Sequence, residues 1–195
     1  MLKAVIFDLN GIFLQAPKLS ERFEKDFGVP IATFLPKLSA IMDTARKPGA
    51  NSTFSYWEPA LKEWNVNLTE KEFWAYWFGA EKVSETMVAF AKELRSKGIK
   101  VFILSNNFKE RAEYYDQYPW THETVDHIYF SWKTGFVKPD TKAWTSILSE
   151  HGVAPENAVY FDDQEKNVKA AESVGIKSFI FKDEKDLEQK VRSLI

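Results

Sequence analysis

Leu2-Lys3-Ala4-Val5-Ile6-Phe7-Asp8-Leu9-Asn10-Gly11-Ile12 is the stretch whose reading decides the fold. A short apolar run with β-branched residues, closed by a turn signal, predicts a strand buried on both faces of a parallel sheet. Asp8 then stands at the carboxyl end of that strand, where open α/β sheets bind their ligands. Gly11 lets the chain turn away at once.

Composition limits what such a strand can belong to. The chain has 195 residues, 45% of them hydrophobic, enough for one sizeable core and a small satellite. Its net charge of −2 comes from interspersed acids and bases with no basic stripe, so no nucleic-acid partner is expected. The absence of cysteine excludes disulfides, thiolate nucleophiles and cysteine zinc sites, and agrees with a reducing compartment. His122, His127 and His151 are scattered and are read as surface or packing residues. No apolar run is long enough to cross a bilayer, so no membrane partner is expected. Asp8 also lies too near the first residue for a cleaved leader to leave the proposed active strand in place. A cytoplasmic protein is the expectation, as a monomer or a homodimer held by exposed aromatic residues.

Working outward from Gly11, the apolar period changes from strand to helix. Leu19, Phe23 and Phe27 fall four apart and predict a helix that Gly28 stops. A second helix is expected over 31–46, kinked or split by Pro36. A loop over 47–52 separates it from helices over 54–64 and 69–78, the latter opened by the Thr69/Glu72 capping-box pattern. This block, residues 15–83, carries Phe54, Tyr56, Trp57, Trp64, Phe73, Trp74, Tyr76, Trp77 and Phe78. Their helical spacing favours the core of a small helical subdomain, with one or two rings reaching the ligand crevice.

From Ser84 onward helices and strands alternate. Strands are expected over 99–104, 127–131, 158–161 and 176–181, and helices over 87–97, 108–118, 165–174 and 186–195, with another from Asp140 to His151. Alternation of this kind implies right-handed crossovers and a doubly wound parallel sheet, an α/β fold of Rossmann-like type. The core would comprise residues 1–14 and 84–195, with the helical block inserted after the first strand.

The ends of these strands carry the chemistry. Asp8 follows the first, Ser105-Asn106-Asn107 the second, Lys138 precedes Pro139 and a helix, and Asp162-Asp163 follow a later strand. In a parallel sheet all of them converge on one rim. Three carboxylates there repel one another unless a cation neutralises them, and hard oxygen ligands point to Mg²⁺. The cation, Lys138, the Ser105 hydroxyl and nearby amides would cradle a phosphoryl group, leaving Asp8 to attack it. Taken singly, each residue has a plainer reading: Asp8 as a turn former, Ser105-Asn106-Asn107 and Asp162-Asp163 as helix caps, Lys138 as a solvated charge.

Those four motifs, in that order, resemble the haloacid dehalogenase superfamily, in particular the phosphatase-like branch that includes the amino-terminal domain of epoxide hydrolases. The residues carrying the resemblance are Asp8 with Asn10, Ser105-Asn106, Lys138-Pro139, and Asp162-Asp163 with Asn167. It implies that the block over 15–83 is a cap and that the substrate is a small phosphorylated metabolite. It further implies an aspartyl-phosphate on Asp8, with Ser105 and Asn106 holding phosphate oxygens and Lys138 orienting Asp8 and neutralising charge. Mg²⁺ would be bound by Asp8, the main-chain carbonyl of Asn10 and Asp163, with Asp162 as a second ligand or an outer partner.

One position departs from the family pattern. Family phosphatases usually carry aspartate two residues after the nucleophile, where it protonates the leaving alcohol and then activates water. Here it is Asn10, and an amide does neither. Loss of a general acid-base group costs roughly 10²–10⁴-fold in rate. Asn10-Gly11 is also a deamidation-prone pair, because glycine does not shield the backbone nitrogen that attacks the amide. Two other readings stand beside an attenuated phosphatase: a 2-haloacid dehalogenase, and a non-catalytic protein that binds phosphate or a partner.

Overall fold

A computed structural model describes residues 1–50 and 52–195. In chain order the elements are β1 (Ala4–Phe7), β2 (Leu14–Gln15), α1 (Leu19–Phe27), α2 (Ile31–Ala45), α3 (Thr53–Glu63), α4 (Glu70–Phe78), β3 (Lys82–Val83), α5 (Glu85–Ser96) and β4 (Lys100–Ser105). There follow α6 (Lys109–Asp116), α7 (Pro119–Glu123), β5 (His127–Phe130), α8 (Ser131–Thr134), α9 (Lys142–Glu150), β6 (Ala158–Asp162), α10 (Glu165–Ser173), β7 (Lys177–Ile180) and α11 (Glu184–Arg192). The loop expected over 47–52 is irregular where it is described, and its Asn51 lies outside the described residues.

β1 is central because it is apolar on both faces. Val5 and Phe7 pack with Met87, Phe90, Leu187 and Val191, from α5 and α11, while Ala4 and Ile6 pack with Trp144, Ile147 and Ala171, from α9 and α10. A strand with only one apolar face would have been driven to an edge. The sheet runs β5-β4-β1-β6-β7 with every pairing parallel, as the alternation requires. Chain connections leave β1 toward β4 and leave β6 toward β7, so the order reverses between β1 and β6. That reversal opens a crevice at the carboxyl ends of those two strands.

The helical block leaves β1 through β2 and returns through β3, which pair antiparallel. It holds an apolar cluster of its own in which Phe23, Phe34, Trp57 and Phe73 are fully buried. Phe108, beyond β4, joins that cluster and lies 5.3 Å from Trp77 and 5.4 Å from Trp74, ring to ring. The capping box at Thr69 forms as its sequence pattern predicts: the Thr69 N–H donates to Glu72 Oε2 at 2.8 Å and the Glu72 N–H to Thr69 Oγ1 at 3.3 Å.

Several expectations need correction. Pro36 does not split α2, because Pro36 and Ala32 are exposed and the carbonyl left without a donor meets water. The block's aromatic residues are buried or half-buried, and among the described residues Leu35 is its one exposed large apolar side chain. The short elements α7, α8, β2 and β3 escape the sequence reading because two to five residues show no period. No helix among the described residues is long and apolar enough to cross a membrane.

Candidate active site

Strand register brings the acidic rim together. Phe7 pairs with Phe161 and with Ile103, so the next residues along, Asp8 and Asp162, stand side by side, and the Asp8 N–H donates to the Phe161 carbonyl at 2.9 Å. Asp8, Asp162 and Asp163 each present an oxygen, all within 4.8 Å of one another. Ser105, the last residue of β4, is fully buried, and its hydroxyl has no hydrogen-bond partner among the described residues. Leaving a buried hydroxyl unpaired costs about 1–3 kcal/mol.

Lys138 ties the rim from the side. Its Nζ donates to Asp8 Oδ1 and to Asp162 Oδ2, both at 2.7 Å, and to the Tyr160 hydroxyl at 3.1 Å. Asn106 holds the lysine's main chain: the Lys138 N–H donates to Asn106 Oδ1 at 2.7 Å, and Asn106 Nδ2 donates back to the Lys138 carbonyl at 2.8 Å. The Asn106 amide, expected on phosphate oxygens, is therefore engaged in positioning Lys138.

The two adjacent aspartates differ sharply. Asp162 Oδ1 accepts from the Gln164 N–H at 2.8 Å, Asn167 Nδ2 donates to both of its oxygens at 3.1 Å, and the Tyr160 hydroxyl donates to Oδ2. Its oxygens are occupied by protein donors. Asp163 makes no ion pair with any described lysine or arginine and is the more exposed of the two.

Charge repulsion on this rim is visible in its proton affinities. Burial pushes Asp8 above the usual carboxylate range; Lys138 pulls it back and Asp162 adds to the push, leaving it raised. Burial, Asp8 and Asp162 push Asp163 up to about 6. Burial also opposes the charge of Asp162, but Lys138 and the hydrogen bonds outweigh it and hold the group below its ordinary value. Lys138 is raised, because Asp8 and Asp162 outweigh its own burial. A carboxylate triad with two members pushed upward and one free of cationic partners fits a hard divalent cation by its donor chemistry.

Over the rim lies a cavity of about 280 Å³ that includes Asp8, Asn10, Lys138 and Asp163. The helical block reaches it through Asp43 and Arg46, at the end of α2, and not through its rings. The expected aromatic reach into the crevice is therefore replaced by a charged one. Sequence reasoning missed Arg46, although an arginine closing a helix that leads into a Pro-Gly turn was there to be asked about.

Set against known proteins, residues 2–175 match the family description "haloacid dehalogenase-like hydrolase". The chain belongs to the haloacid dehalogenase-like hydrolases. Within that family it is 24% identical, over 93% of its length, to bifunctional epoxide hydrolase 2 of Sus scrofa. It spans only 35% to 37% of the length of the epoxide hydrolases it matches. It is also 26% identical to the sesquiterpene phosphatase astK of Aspergillus oryzae over half of each chain. Its fold matches the family enzyme bt-2542 of Bacteroides thetaiotaomicron, solved with magnesium and inorganic phosphate, with a TM-score of 0.77 at 18% identity over 93% of this chain and 95% of that one.

Asn10 lines the same cavity as Asp8 in this hydrolase, with its Oδ1 buried and without a partner among the described residues. The Gly11 N–H, whose nitrogen would have to attack that amide, donates to the Leu14 carbonyl at 2.7 Å, and Gly11 holds a φ of 80°. The turn thus opposes the deamidation that the dipeptide invites. Away from the rim, His151 stacks on Phe102 at 4.4 Å and shares a hydrogen bond with the Tyr129 hydroxyl, a packing role as expected.

Proposed function

We propose that this hydrolase is a Mg²⁺-dependent phosphatase of a small phosphorylated metabolite, working through Asp8 and slowed by Asn10. The observation that carries the reading is Asp8 at the crevice, bonded to Lys138 at 2.7 Å and grouped with Asp163 in a triad that needs a cation. The matches to a phosphatase and to an enzyme solved with magnesium and phosphate support it.

Asp8 attacks phosphorus as the bond to the leaving alcohol breaks, giving an aspartyl-phosphate. Lys138 orients the attacking carboxylate and offsets charge on the transferring group. The Ser105 hydroxyl donates to a phosphoryl oxygen, and Asn106 acts indirectly by fixing Lys138. Asp8, the Asn10 carbonyl and Asp163 are the groups that would hold Mg²⁺, while Asp162 serves as the anchor of Lys138. When bound, the ion supplies charge neutralisation for the phosphoryl oxygens. The departing alkoxide takes its proton from water, because Asn10 has none to give. Water then cleaves the aspartyl-phosphate, again without a base at position 10, releasing phosphate and restoring Asp8. Residues 15–83 act as the cap over this chemistry.

Hydrolysis of an aryl phosphate by the protein and by Asn10→Asp, each with Mg²⁺ and with a chelator, tests the reading. The substitution is expected to raise a Mg²⁺-dependent rate about 10²-fold or more. Absence of phosphate-ester turnover by both folded proteins would sink it, and metal-free halide release from a 2-haloacid would put the dehalogenase reading in its place.

A further inference from the structure

Arg46 stands out from every other arginine of the chain. Of the five, Arg22 donates to the Tyr76 and Trp77 carbonyls, Arg95 to the Glu123 carbonyl, Arg111 to Glu81, and Arg192 to Glu93. The Arg46 side chain has no hydrogen bond or ion pair among the described residues, and its Nε is buried without a partner. Burial disfavours its charge and leaves its proton affinity below the usual range, with Asp43 and Asp8 pulling the other way. A guanidinium held half-buried and unpaired is costly unless an anion arrives to meet it.

Its location says where that anion would be. Arg46 lines the cavity that contains Asp8 and Asp163, yet it forms no ion pair with either. Pro48, two residues on, lies 3.6 Å from where a side chain on Gly135 would begin, so the end of α2 closes against the loop leading to Lys138. In-line displacement puts the leaving group on the side of phosphorus opposite Asp8. Core strand ends supply the phosphoryl cradle, so a cation brought in by the helical block faces the rest of the substrate. Apart from Val137 and Pro139 the cavity wall is polar, and at about 280 Å³ it suits a small hydrophilic molecule.

We propose that Arg46 is a specificity-determining residue that receives a second anionic group, a carboxylate or a further phosphate, carried on the leaving alcohol of the substrate. This rests on the phosphatase reading above and deepens it. A charge-assisted, bidentate contact of this kind corresponds to roughly 10- to 100-fold in affinity.

Calorimetric binding of methylphosphonate, phosphonoacetate and methylenediphosphonate to the intact protein with Mg²⁺ tests it without turnover. Phosphonoacetate or methylenediphosphonate should bind about 10-fold or more tightly than methylphosphonate, and which of the two leads tells a carboxylate from a phosphate. Arg46→Gln should collapse that ratio toward one, and Arg46→Lys, which keeps charge and loses the fork, should leave an intermediate ratio. Equal binding of all three ligands by the unaltered protein overturns the subsite while leaving the phosphatase reading in place. A ratio unchanged in Arg46→Gln, or equal weakening of every ligand, overturns it as well, the latter by assigning Arg46 to the phosphoryl group. Failure of every phosphonate to bind with Mg²⁺ overturns the phosphatase reading and the subsite together.

Discussion

The rim of the sheet and the helical block above it solve opposite problems. On the rim, charged groups are buried side by side, Asp8 and Asp162 placed by strand register and Lys138 by Asn106, and tied by short hydrogen bonds: all three are almost inaccessible. In the block, rings pack against rings, with Phe23 4.7 Å from Phe34 and Trp57 5.3 Å from Phe73. Aromatic packing tolerates small shifts, whereas a buried ion network fails when a single partner is lost. The acidic rim sits on the sheet, and the block meets the same cavity through the end of α2, at Asp43 and Arg46.

That contrast is broken most severely at Lys138. Lys138→Met leaves two buried carboxylates without their cation and should lower unfolding free energy by about 5 kcal/mol, the upper end for breaking a buried pair. Urea unfolding followed by circular dichroism checks it. A loss under 1 kcal/mol would mean that the rim is wetter than its burial implies.

The block should yield less and more locally. Phe73→Ala removes a fully buried ring at a cost of about 3–4 kcal/mol, through lost transfer energy and the cavity left behind. Hydrogen exchange should show the loss concentrated in α1–α4, with β1, β4 and β6 still protected. Equal loosening of the strands would show that the two regions unfold as one.

At the surface the effect is smallest and depends on pH. Hydrogen bonds from Arg192 and Lys97 hold exposed Glu93 down at about 2, against an ordinary value of 4.5. A depressed folded-state value stabilises the protein above pH 4.5, and the contribution disappears as pH falls from 4.5 toward 2. Arg192→Ala should flatten this limb of the acid-unfolding curve, and the pair's exposure keeps the change modest. An unchanged limb would show that the pair contributes nothing to stability.

Much of the rim was legible in advance because its residues follow strands, and strand ends of a parallel sheet share one edge whatever the details of packing. Asp8, Ser105 and Asp163 needed only the alternation of elements to be put at one edge, while Lys138, between two helices, is held there by Asn106. The resemblance already favoured Asp163 over Asp162 as a metal ligand, but the reason was not legible, since it depends on which carboxylate the Asn167 amide, the Gln164 N–H and the Tyr160 hydroxyl reach. Nor was the duty of Asn106, which follows from its distance to a backbone thirty-two residues away.

By itself, the order of apolar runs and turns determined the α/β class, the two-sided burial of the first strand and the helical stretch that follows it, because these follow from local period and burial, while the four motifs were read from a resemblance. Only the tertiary structure decided that Pro36 stays within a helix, that the block meets the cavity through Asp43 and Arg46 and not through a ring, and that the Arg46 side chain lines it without a partner among the described residues. Each of those depends on which face of a helix meets water, and a helix's own sequence leaves that open until its neighbours are in place.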